Sequence, residues 1–463
     1  MTSINPHIFR AYDIRGKADS DITNDVCHRI GAAFGTVLRE RYAIDHPKVV
    51  VGWDARTHSP GFAKAIIEGL MASGCHVLSM GQTPSPLNYF TICKRGLDGG
   101  VQITASHNPA EDNGIKLQVR DAEAYSGDDL QDLRERIEAE SGKRLAVSGS
   151  EEKIDAVTPY LSFLKEMFDA SAKGLKVVID AGNGVAGPVY SEAIKQAGAR
   201  ISGLYLEPDG NFPNHPADPS QRKTLKELQE KVKAGKADIG IAFDGDGDRL
   251  GIVDEKGMIR TPDEILLLLA EDLLSRHRGS PVIFTVSNSG ILETEVPRLG
   301  GKPVMCKVGH SYVEHAMREN TALLGGEQSG HFFCGEDYYG FDDALVAALR
   351  ILKILLSKKV PLSSVLSAFP KVFQAPERRP FCPDDRKGAI VAKATEHFRE
   401  SLPVNTLDGA RIDFGDGAWA GIRQSNTSPK LSICIEARSK EKLIQIENTV
   451  LDYLRGFPEI QWD

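Results

Sequence analysis

The stretch that decides the fold is ADIGIAFDGDGDRLGIVD, residues 237–254. The apolar run at residues 239–243 predicts a buried strand, and a second apolar run after the loop predicts a strand that leaves it. Asp244, Asp246 and Asp248 stand between the two strands, and three carboxylates this close repel one another unless a positive group separates them. A hard divalent cation is the expected group, because it prefers oxygen ligands. The intervening glycines are expected to adopt positive φ and turn the backbone tightly.

Two other kinds of loop share this composition. A plain acidic surface turn would not need a strand on either side. A calcium-binding EF-hand would place the three aspartates at its first ligand positions and Glu255 at its twelfth, but it requires glycine where this chain has Arg249. The flanks are also strand-like rather than helical. The loop therefore favours a metal used in chemistry over a calcium sensor.

The composition describes a globular protein of three or four domains. The chain has 463 residues, 41% of them hydrophobic, and 44 glycines, which fits an α/β protein. A net charge of −8 argues against a general nucleic-acid binder. The seven cysteines form no C-x-x-C pair, which favours a reduced, cytoplasmic setting. The first residues lack the apolar core of a signal peptide, and no apolar run approaches the ~18 residues of a membrane span.

Strands and helices alternate along most of the chain, which predicts mostly parallel sheets covered by helices. The predicted strands are at residues 49–52, 77–80, 100–104, 176–180, 282–286 and 303–307, and the predicted helices at 23–41, 61–73, 85–94, 262–276 and 342–356. A polar stretch at residues 141–158 is expected to be a linker. A Pro-rich boundary precedes a last domain, with strands expected at 410–414, 418–423 and 431–437 and a helix from Lys440.

Ser106 follows the strand predicted at residues 100–104, within TASHNP. Ligands and nucleophiles of α/β proteins collect at such strand ends, and His107 offers a hydrogen-bond partner. A serine that merely caps a turn is the alternative, since Asn-Pro follows. No G-x-S-x-G is present, so an esterase-type nucleophile elbow is not supported. Asn113-Gly114, shortly afterwards, is expected to form a tight turn.

Three more loops carry polar side chains in patterns that suit a phosphorylated sugar. FRAYDIRG at residues 9–16 offers arginines and a tyrosine, which could equally be solvated surface residues. Glu327 and Ser329, with His331 beside them, suit a polyol, although a lone histidine is more often structural. The loop at residues 423–429 offers arginine, hydroxyl and amide donors for a phosphate dianion, and a plain hairpin is the alternative.

GNGVAG at residues 182–187 is the strongest competing signal. It satisfies G-x-G-x-x-G between a predicted strand and a predicted helix, and Glu207 follows about twenty residues later, as in a dinucleotide-binding fingerprint. A glycine turn that allows a helix to pack closely on a strand explains the same letters. Pro188 would suit the first turn of that helix without any ligand. The motif leaves an NAD(P)-dependent dehydrogenase as an alternative of a different class.

Taken together, the loops supply a nucleophile, a divalent metal site, a hydroxyl-binding loop and a phosphate clamp, which is an inventory for phosphoryl transfer on a sugar. The sequence resembles the α-D-phosphohexomutase superfamily, most closely its bacterial phosphomannomutase/phosphoglucomutase branch. The resemblance covers the whole chain and rests on seven motifs in family order: FRAYDIRG, TASHNP, NGIK, DGDGDR, EQSGH, YGFDDA and RQSNTSP.

This resemblance implies an α/β protein of four domains around a central cleft, three with similar mixed sheets and a C-terminal α+β domain. The domains are expected at residues 1–150, carrying the phosphoserine loop, 151–256, carrying the metal loop, 257–368, carrying the sugar loop, and 369–463, carrying the phosphate loop. The implied activity is that of an isomerase, a reversible transfer between the 1- and 6-positions of mannose or glucose phosphates. It runs through a phosphoserine and a glucose or mannose 1,6-bisphosphate intermediate.

The resemblance also implies a role for individual residues. One Mg²⁺ would be held by Asp244, Asp246, Asp248 and the phosphorylated Ser106. The sugar hydroxyls would be bound by Glu327 and Ser329, and the phosphate that does not react by Arg423, Ser425, Asn426 and Thr427. The site would further be lined by Tyr12, Arg15, Lys116, Arg249, His310 and His331. Lys116 and His331 are the candidates for proton transfer, with the assignment between them open.

Two departures from the family pattern bear on the substrate. Gln328 is typical of phosphoglucosamine mutases, yet Asn426 and the absence of a glutamate before Pro429 are not. Phosphoglucosamine mutase is therefore the alternative activity. Some relatives carry a lysine near Ser287, and its absence puts one phosphate contact in doubt. A phosphosugar-binding sensor without turnover is a non-enzymatic alternative. The expected partner is a phosphosugar, and neither nucleic acid nor a membrane is expected to bind. The protein is expected to be a monomer or a weak dimer.

Overall fold

The structure, a computed structural model, describes residues 4–139, 149–426 and 428–462. By the density of their internal contacts, the residues divide into two compact units, built from 1–262 with 329–363 and from 263–328 with 364–463. The expected third domain is thus shared between the two units. The domain boundaries near residues 150, 256 and 368 stay predictions.

The first sheet of the first unit is mixed. Its strands are β1 (Ile14–Lys17), β2 (Lys48–Trp53), β3 (His76–Gln82), β4 (Gly99–Ile103), β5 (Asp112–Val119) and β6 (Ser150–Lys153), and its helices are α1 (Asn24–Tyr42), α2 (Ser59–Ala72), α3 (Ser85–Arg95) and α4 (Asp128–Ala139). The strand order is β1-β5-β4-β2-β3-β6. Strand β5 runs antiparallel to both of its neighbours, and the other pairs are parallel.

Two expectations for this sheet are wrong. Part of the expected linker is strand β6, which pairs in parallel with β3 although all of its residues are exposed, so backbone pairing rather than an apolar pattern defines it. Residues 141–148 lie outside the described residues. Asn113-Gly114 does not turn but lies inside β5, opposite Gly16 and Arg15. A Cβ on Gly114 would lie 2.4 Å from the carbonyl oxygen of Ile14, so the glycine serves close strand approach.

The second sheet of the first unit contains the acidic loop. Its elements are α5 (Val157–Met167), β7 (Lys176–Asp180), α6 (Gly187–Gln196), β8 (Arg200–Leu204), α7 (Lys226–Gly235), β9 (Ile239–Phe243), β10 (Leu250–Asp254) and β11 (Ile259–Arg260). The strand order is β11-β10-β9-β7-β8, with β9 parallel to β7 and antiparallel to β10. Every residue of β9 is buried, as its continuous apolar sequence predicts.

The next part of the chain builds a parallel sheet in the second unit. Its elements are α8 (Pro262–Arg276), β12 (Pro281–Thr285), α9 (Ile291–Arg298), β13 (Lys302–Cys306), α10 (His310–Glu319) and β14 (Leu324–Gly326). Strand β12 pairs in parallel with both β13 and β14. The chain then contributes β15 (Phe332–Cys334) and α11 (Ala344–Lys358) to the first unit, followed by the short helix α12 (Leu362–Leu366).

The C-terminal part of the second unit is an antiparallel sheet with two helices. Its elements are β16 (Phe373–Gln374), α13 (Asp384–Arg399), β17 (Val404–Asn405), β18 (Ala410–Asp413), β19 (Trp419–Gln424), β20 (Leu431–Ala437) and α14 (Lys440–Arg455). The strand order is β16-β20-β19-β18-β17. Three α/β domains followed by an α+β domain confirm the expected fold class. Over the part of the chain described, none of the helices has both the length and the apolar character that a membrane crossing needs.

Candidate active site

The acidic loop joins β9 to β10 and folds around its own first carboxylate. Oδ1 of Asp244 accepts hydrogen bonds from the backbone N–H groups of Gly247, Asp248 and Arg249, at 3.0, 3.1 and 3.1 Å. Asp244, Asp246 and Asp248 are all at most 1% exposed. One carboxylate oxygen therefore fixes the backbone of the loop. The loop is flanked by strands and not by helices, in agreement with the prediction that it is not an EF-hand.

The two glycines of this loop, Gly245 and Gly247, have different structural roles. Gly247 has φ of +80°, as expected of a tight turn. Gly245 does not have positive φ, so that expectation is wrong for it. A Cβ on Gly245 would lie 2.5 Å from the carbonyl oxygen of Ser106, so its missing side chain lets the acidic loop touch the serine loop.

Ser106 lies three residues beyond the end of β4, as its position in the sequence predicts. Its φ is +49°, a left-handed conformation that costs a non-glycine residue roughly 1–2 kcal/mol. Its backbone N–H donates to Oγ1 of Thr104 at 2.8 Å. Its hydroxyl donates to Oδ2 of Asp244 at 2.6 Å and lies 3.1 Å from Nδ1 of His107. The strained backbone thus aims a buried hydroxyl at the acidic loop.

Lys116 on β5 places a positive charge among the aspartates of the acidic loop. Its Nζ donates to Oδ2 of Asp246 at 2.8 Å and to Oδ2 of Asp248. Burial opposes its charge, but the two carboxylates outweigh burial and hold its pKa well above the usual value. Ser85, at the start of α3, donates its hydroxyl to the same oxygen of Asp246 at 2.5 Å.

The pKa values of the three aspartates diverge. Burial raises the pKa of Asp244 well above its usual value, and the charges of Asp248 and Asp246 add to the effect. Burial acts in the same direction on Asp248, but Lys116 and His331 outweigh it and hold that pKa well below the usual value. The pKa of Asp246 is also lowered, mainly by Lys116, against burial and the charge of Asp248.

Arg249 and His331 extend the cluster on its other side. They form an isolated antiparallel bridge, which brings the strand β15 region to the start of β10. Nε2 of His331 lies 3.3 Å from Nε of Arg249 and 3.3 Å from Oδ1 of Asp248, while its Nδ1 lies 2.9 Å from the hydroxyl of Ser329. Asp342, which belongs to the YGFDDA motif but was assigned no role from the sequence, lies 3.9 Å from Nε2 of His331.

Arg15 holds the other face of the serine loop. Its Nε donates to Asp13 at 2.6 Å and its Nη1 to the side chain of Asn108 at 3.0 Å. Burial lowers its pKa, but Asp13 and Tyr12 outweigh burial and raise it overall. Tyr12 is half-buried.

The second unit holds the remaining expected residues in two groups. In the first group, Glu327 is buried and its Oε1 accepts the N–H of Gly309 at 2.8 Å, directly before α10. His310 is the first residue of that helix, with Nδ1 3.8 Å from Oε1 of Glu314. Glu327 thus fixes the loop that carries His310.

The second group is the loop between β19 and β20. The hydroxyl of Ser425 accepts a hydrogen bond from Arg379 at 3.0 Å, and its carbonyl accepts one from Lys387 at 2.7 Å. Asn426 donates to the carbonyl of Val308 at 3.1 Å. The Nε of Arg423 is buried and has no hydrogen-bond partner among the described residues. Thr427 lies outside the described residues. Arg379 and Lys387 add positive charge that the loop motif alone did not reveal.

The donor set of the acidic loop fits a hard divalent cation. One carboxylate oxygen from each of Asp244, Asp246 and Asp248 lies within 4.8 Å of the others. Within the described part of the chain, Oδ1 of Asp246 is buried and has no hydrogen-bond partner, so this oxygen is available as a ligand atom. Carboxylate oxygens are the ligands that Mg²⁺ prefers.

The glycines of the motif at residues 182–187 are in close contact with backbone atoms of neighbouring segments of the chain. A Cβ on Gly184 would lie 2.9 Å from the carbonyl oxygen of Asp244, and one on Gly187 would lie 1.9 Å from that of Leu206. The N–H of Val185 donates to the carbonyl of Gly245 at 3.1 Å. The motif supports the acidic loop and closes the approach that a pyrophosphate would need.

Comparison with known proteins agrees with this geometry. Four domain families described as phosphoglucomutase/phosphomannomutase match the chain, domain I at residues 6–144, domain II at 158–257, domain III at 261–373 and the C-terminal domain at 364–452. Phosphomannomutase/phosphoglucomutase of Pseudomonas aeruginosa PAO1 is 41% identical over 450 residues, covering 97% of this chain and 96% of that protein. Phosphoglucomutase of Neisseria gonorrhoeae is 36% identical over 465 residues, covering all of both chains.

A solved structure supports the same assignment. The phosphoglucomutase/phosphomannomutase family protein of Burkholderia thailandensis superposes with a TM-score of 0.89 at 36% identity, covering 98% of each chain. The fold, the acidic loop, the serine loop and these relatives all indicate the same family. The chain belongs to the phosphoglucomutase/phosphomannomutase family of the α-D-phosphohexomutase superfamily, whose enzymes are isomerases.

Proposed function

We propose that this enzyme interconverts the 1- and 6-phosphates of a hexose, mannose or glucose, through a phosphorylated Ser106. The observation that carries the proposal is the contact of 2.6 Å between the Ser106 hydroxyl and Asp244, within a buried cluster of three carboxylates and the ammonium of Lys116. A serine that faces a cation-binding set of carboxylates suits a covalent phosphoryl carrier.

The reaction consists of two transfers that balance each other. In the first, a hydroxyl oxygen of the hexose monophosphate bonds to the phosphorus of phospho-Ser106 while the bond from phosphorus to Oγ breaks. The hydroxyl proton passes to an enzyme base, and Oγ takes up a proton to become the serine hydroxyl. The product is the hexose 1,6-bisphosphate. In the second transfer, Ser106 attacks the other phosphorus of that bisphosphate, and the monophosphate with the alternative position leaves.

Each residue that the sequence analysis singled out has a proposed role in these two transfers. Lys116 and His331, which both contact Asp248, are the proposed proton carriers. Arg249 and Arg15 would stabilise the negative charge of the transferring phosphoryl group. Glu327 and Ser329 would accept and donate hydrogen bonds to sugar hydroxyls. Tyr12 is a further proposed substrate-binding residue, and His310 a further proposed catalytic residue. The phosphate that does not react would be bound by Arg423, Ser425, Asn426 and Thr427, because arginine and hydroxyl donors suit a dianion.

The carboxylates of the acidic loop would hold Mg²⁺ through Asp244, Asp246 and Asp248, together with an oxygen of phospho-Ser106. Bound Mg²⁺ supplies charge neutralisation for the phosphoryl group in transit. A glucose or mannose 1,6-bisphosphate would prime the enzyme by phosphorylating Ser106. A cytoplasmic setting and a monomeric or weakly dimeric state stay predictions.

The decisive assay supplies enzyme, Mg²⁺ and a trace of glucose 1,6-bisphosphate with glucose 1-phosphate, mannose 1-phosphate or glucosamine 1-phosphate. We expect 6-phosphate to form from the glucose and mannose compounds. Preference for glucosamine 1-phosphate would instead support a phosphoglucosamine mutase, and 6-phosphate from none of them would refute the proposal. Saturable NAD(P) binding would favour a dehydrogenase, and protection by a phosphosugar without turnover would favour a sensor.

A further inference from the structure

The carbonyl groups of the serine loop converge on one buried guanidinium, that of Arg56. Its Nη2 donates to the carbonyls of Ser106 at 2.9 Å and Asn108 at 2.7 Å. Its Nη1 donates to the carbonyls of Pro109 at 2.5 Å and Asp112 at 3.0 Å. The loop that carries the reactive hydroxyl therefore wraps around a single side chain.

Asp54 completes the hydrogen bonding of this side chain. Nε of Arg56 donates to Oδ2 of Asp54 at 3.0 Å, so each of the five guanidinium N–H groups has an acceptor. The same carboxylate oxygen accepts the hydroxyl of Thr104 at 2.8 Å, and Thr104 in turn accepts the N–H of Ser106. Asp54 and Arg56 thus hold the peptide groups on both sides of Ser106.

A loop of the second sheet seals this arrangement from water. The ring of Phe212 lies 5.2 Å from the guanidinium carbon of Arg56. A Cβ on Gly210 would lie 2.4 Å from the carbonyl oxygen of Ala55, so that loop packs directly on the backbone around Arg56. The Arg56 side chain is 0% exposed. In this dry environment its hydrogen bonds hold the loop more strongly than they would in water.

We propose that Arg56 is a positioning residue for phosphoryl transfer, and this inference rests on the function proposed above. The left-handed backbone of Ser106 is unfavourable and persists only if its surroundings impose it. Arg56 imposes it from the carbonyl side, which orients the Cα–Cβ bond and brings Oγ to Asp244. Arg56 itself donates to no atom of the acidic loop, so it acts through Ser106.

The structure explains why lysine cannot replace this arginine. An ammonium group donates from one point, whereas the acceptors of Arg56 surround a planar group on several sides. Arg56→Lys keeps the charge and the partner Asp54, but it releases most of the loop carbonyls. Arg350→Lys is the matched control, because Arg350 is also shielded and pairs with Glu336, at 2.9 Å, away from the serine loop.

The test compares these variants at a temperature where both are folded. For Arg56→Lys we expect kcat to fall about 100-fold, with KM for the hexose 1-phosphate within threefold of the wild type, because loop misplacement affects the transfer step. Arg350→Lys should keep both parameters. A kcat of Arg56→Lys within twofold of the wild type, or a loss that Arg350→Lys shares, would overturn the inference.

If Arg56→Lys does not fold, a second variant tests the positioning of the serine loop. Thr104→Val removes the acceptor of the Ser106 N–H and should lower kcat in the same direction by a smaller factor, with faster hydrogen exchange confined to the peptide of residues 104–113. Unchanged kcat and unchanged exchange in Thr104→Val would contradict the positioning role. If the wild type itself shows no mutase activity, the proposed function fails. An active wild type with insensitive variants refutes this inference alone.

Discussion

The hydroxyl of Ser106 donates a hydrogen bond of 2.6 Å to Oδ2 of Asp244, across a sequence separation of 138 residues. Phosphorylation would replace that donated hydrogen with a group that only accepts hydrogen bonds near pH 7 and carries about two negative charges. The carboxylate and the phosphoryl group would then repel each other unless a cation lies between them. We therefore propose that this contact marks the place where a phosphorylated enzyme would need a metal.

Ser106→Ala should abolish turnover, because no oxygen remains to carry the phosphoryl group. We expect activity to fall at least about 1,000-fold, which is the scale of losing a catalytic nucleophile. Mass spectrometry of the digested protein should show a phosphate on the wild-type peptide that contains Ser106 and none on that of the variant. Ser171→Ala is the control, since the Ser171 hydroxyl is buried, has no hydrogen-bond partner among the residues that the structure describes, and lies in another part of the chain. Full activity in Ser106→Ala would contradict the proposed mechanism.

Mg²⁺ should bind more tightly to the phosphorylated enzyme than to the unphosphorylated one. Asp246 and Asp248 already face Lys116, so the added charge of a phosphoryl group on Ser106 raises the attraction of the site for a second cation. We expect a Kd at least about tenfold lower after treatment with glucose 1,6-bisphosphate, as measured by isothermal titration calorimetry. Equal affinities in the two states would show that the phosphoryl group is not a ligand.

Lys116→Met should destabilise the protein, because it leaves the buried carboxylates without their counter-charge. Breaking a buried ion pair on one side costs about 3 kcal/mol in free energy of unfolding. Mg²⁺ should recover part of this loss, so added Mg²⁺ should raise the Tm of Lys116→Met more than that of the wild type. Lys17→Met is the control: this lysine is 54% exposed, and water screens its pairs with Glu111 and Asp112, so its replacement should destabilise the protein much less. A larger loss in the control would contradict the charge argument.

The pair of His215 and Asp180 should make stability depend on pH. Nε2 of His215 lies 3.2 Å from Oδ2 of Asp180, and its Nδ1 lies 2.8 Å from the carbonyl of Pro216, so both ring nitrogens face acceptors. Burial lowers the pKa of His215, but the hydrogen bond and charge of Asp180 outweigh it and raise the pKa overall. Because the folded pKa lies above the unfolded value of about 6.5, the stabilisation is complete below that pH. It is lost as the pH rises through the folded pKa.

This pH dependence can be measured with His215→Gln. Urea unfolding should show a stability advantage of the wild type over this variant at pH 5.5 that shrinks by pH 9. His315→Gln, on an exposed helix face, provides the comparison. An advantage that grows with pH would reverse the sign and refute the assignment of a charged His215.

The sequence predicted the elements whose stability is encoded locally. Strand β9 is a continuous apolar run, and helix α1 begins with Thr23, whose side chain accepts the N–H of Val26. Strands β1 and β6 carry no such signal, since they are short and mostly polar. They exist because neighbouring backbones pair with them, and that pairing depends on segments distant in sequence.

The site residues also divide into those that local sequence motifs predicted and those that depend on contacts with distant segments. The acidic loop and Ser106 were predicted from motifs that follow apolar strands. Arg56 was not predicted, because no motif marks Asp54-Ala55-Arg56 as part of a site. Its importance comes from carbonyl groups of a loop fifty residues away, and backbone carbonyls leave no mark on the sequence. Ser85 was not predicted, and Asp342 was assigned no role although it lies in the YGFDDA motif, because each contacts the site from another element.

The contact of Gly245 with the Ser106 carbonyl has a consequence for how activity arises during folding. The two loops belong to different sheets, so each sheet can form without the other, yet the reacting pair exists only after both have docked. Long-range contacts of this kind form late, because the chain must first close a long loop. Recovery of activity on refolding should therefore lag behind recovery of helix content, and fragments containing one sheet alone should carry an inert serine.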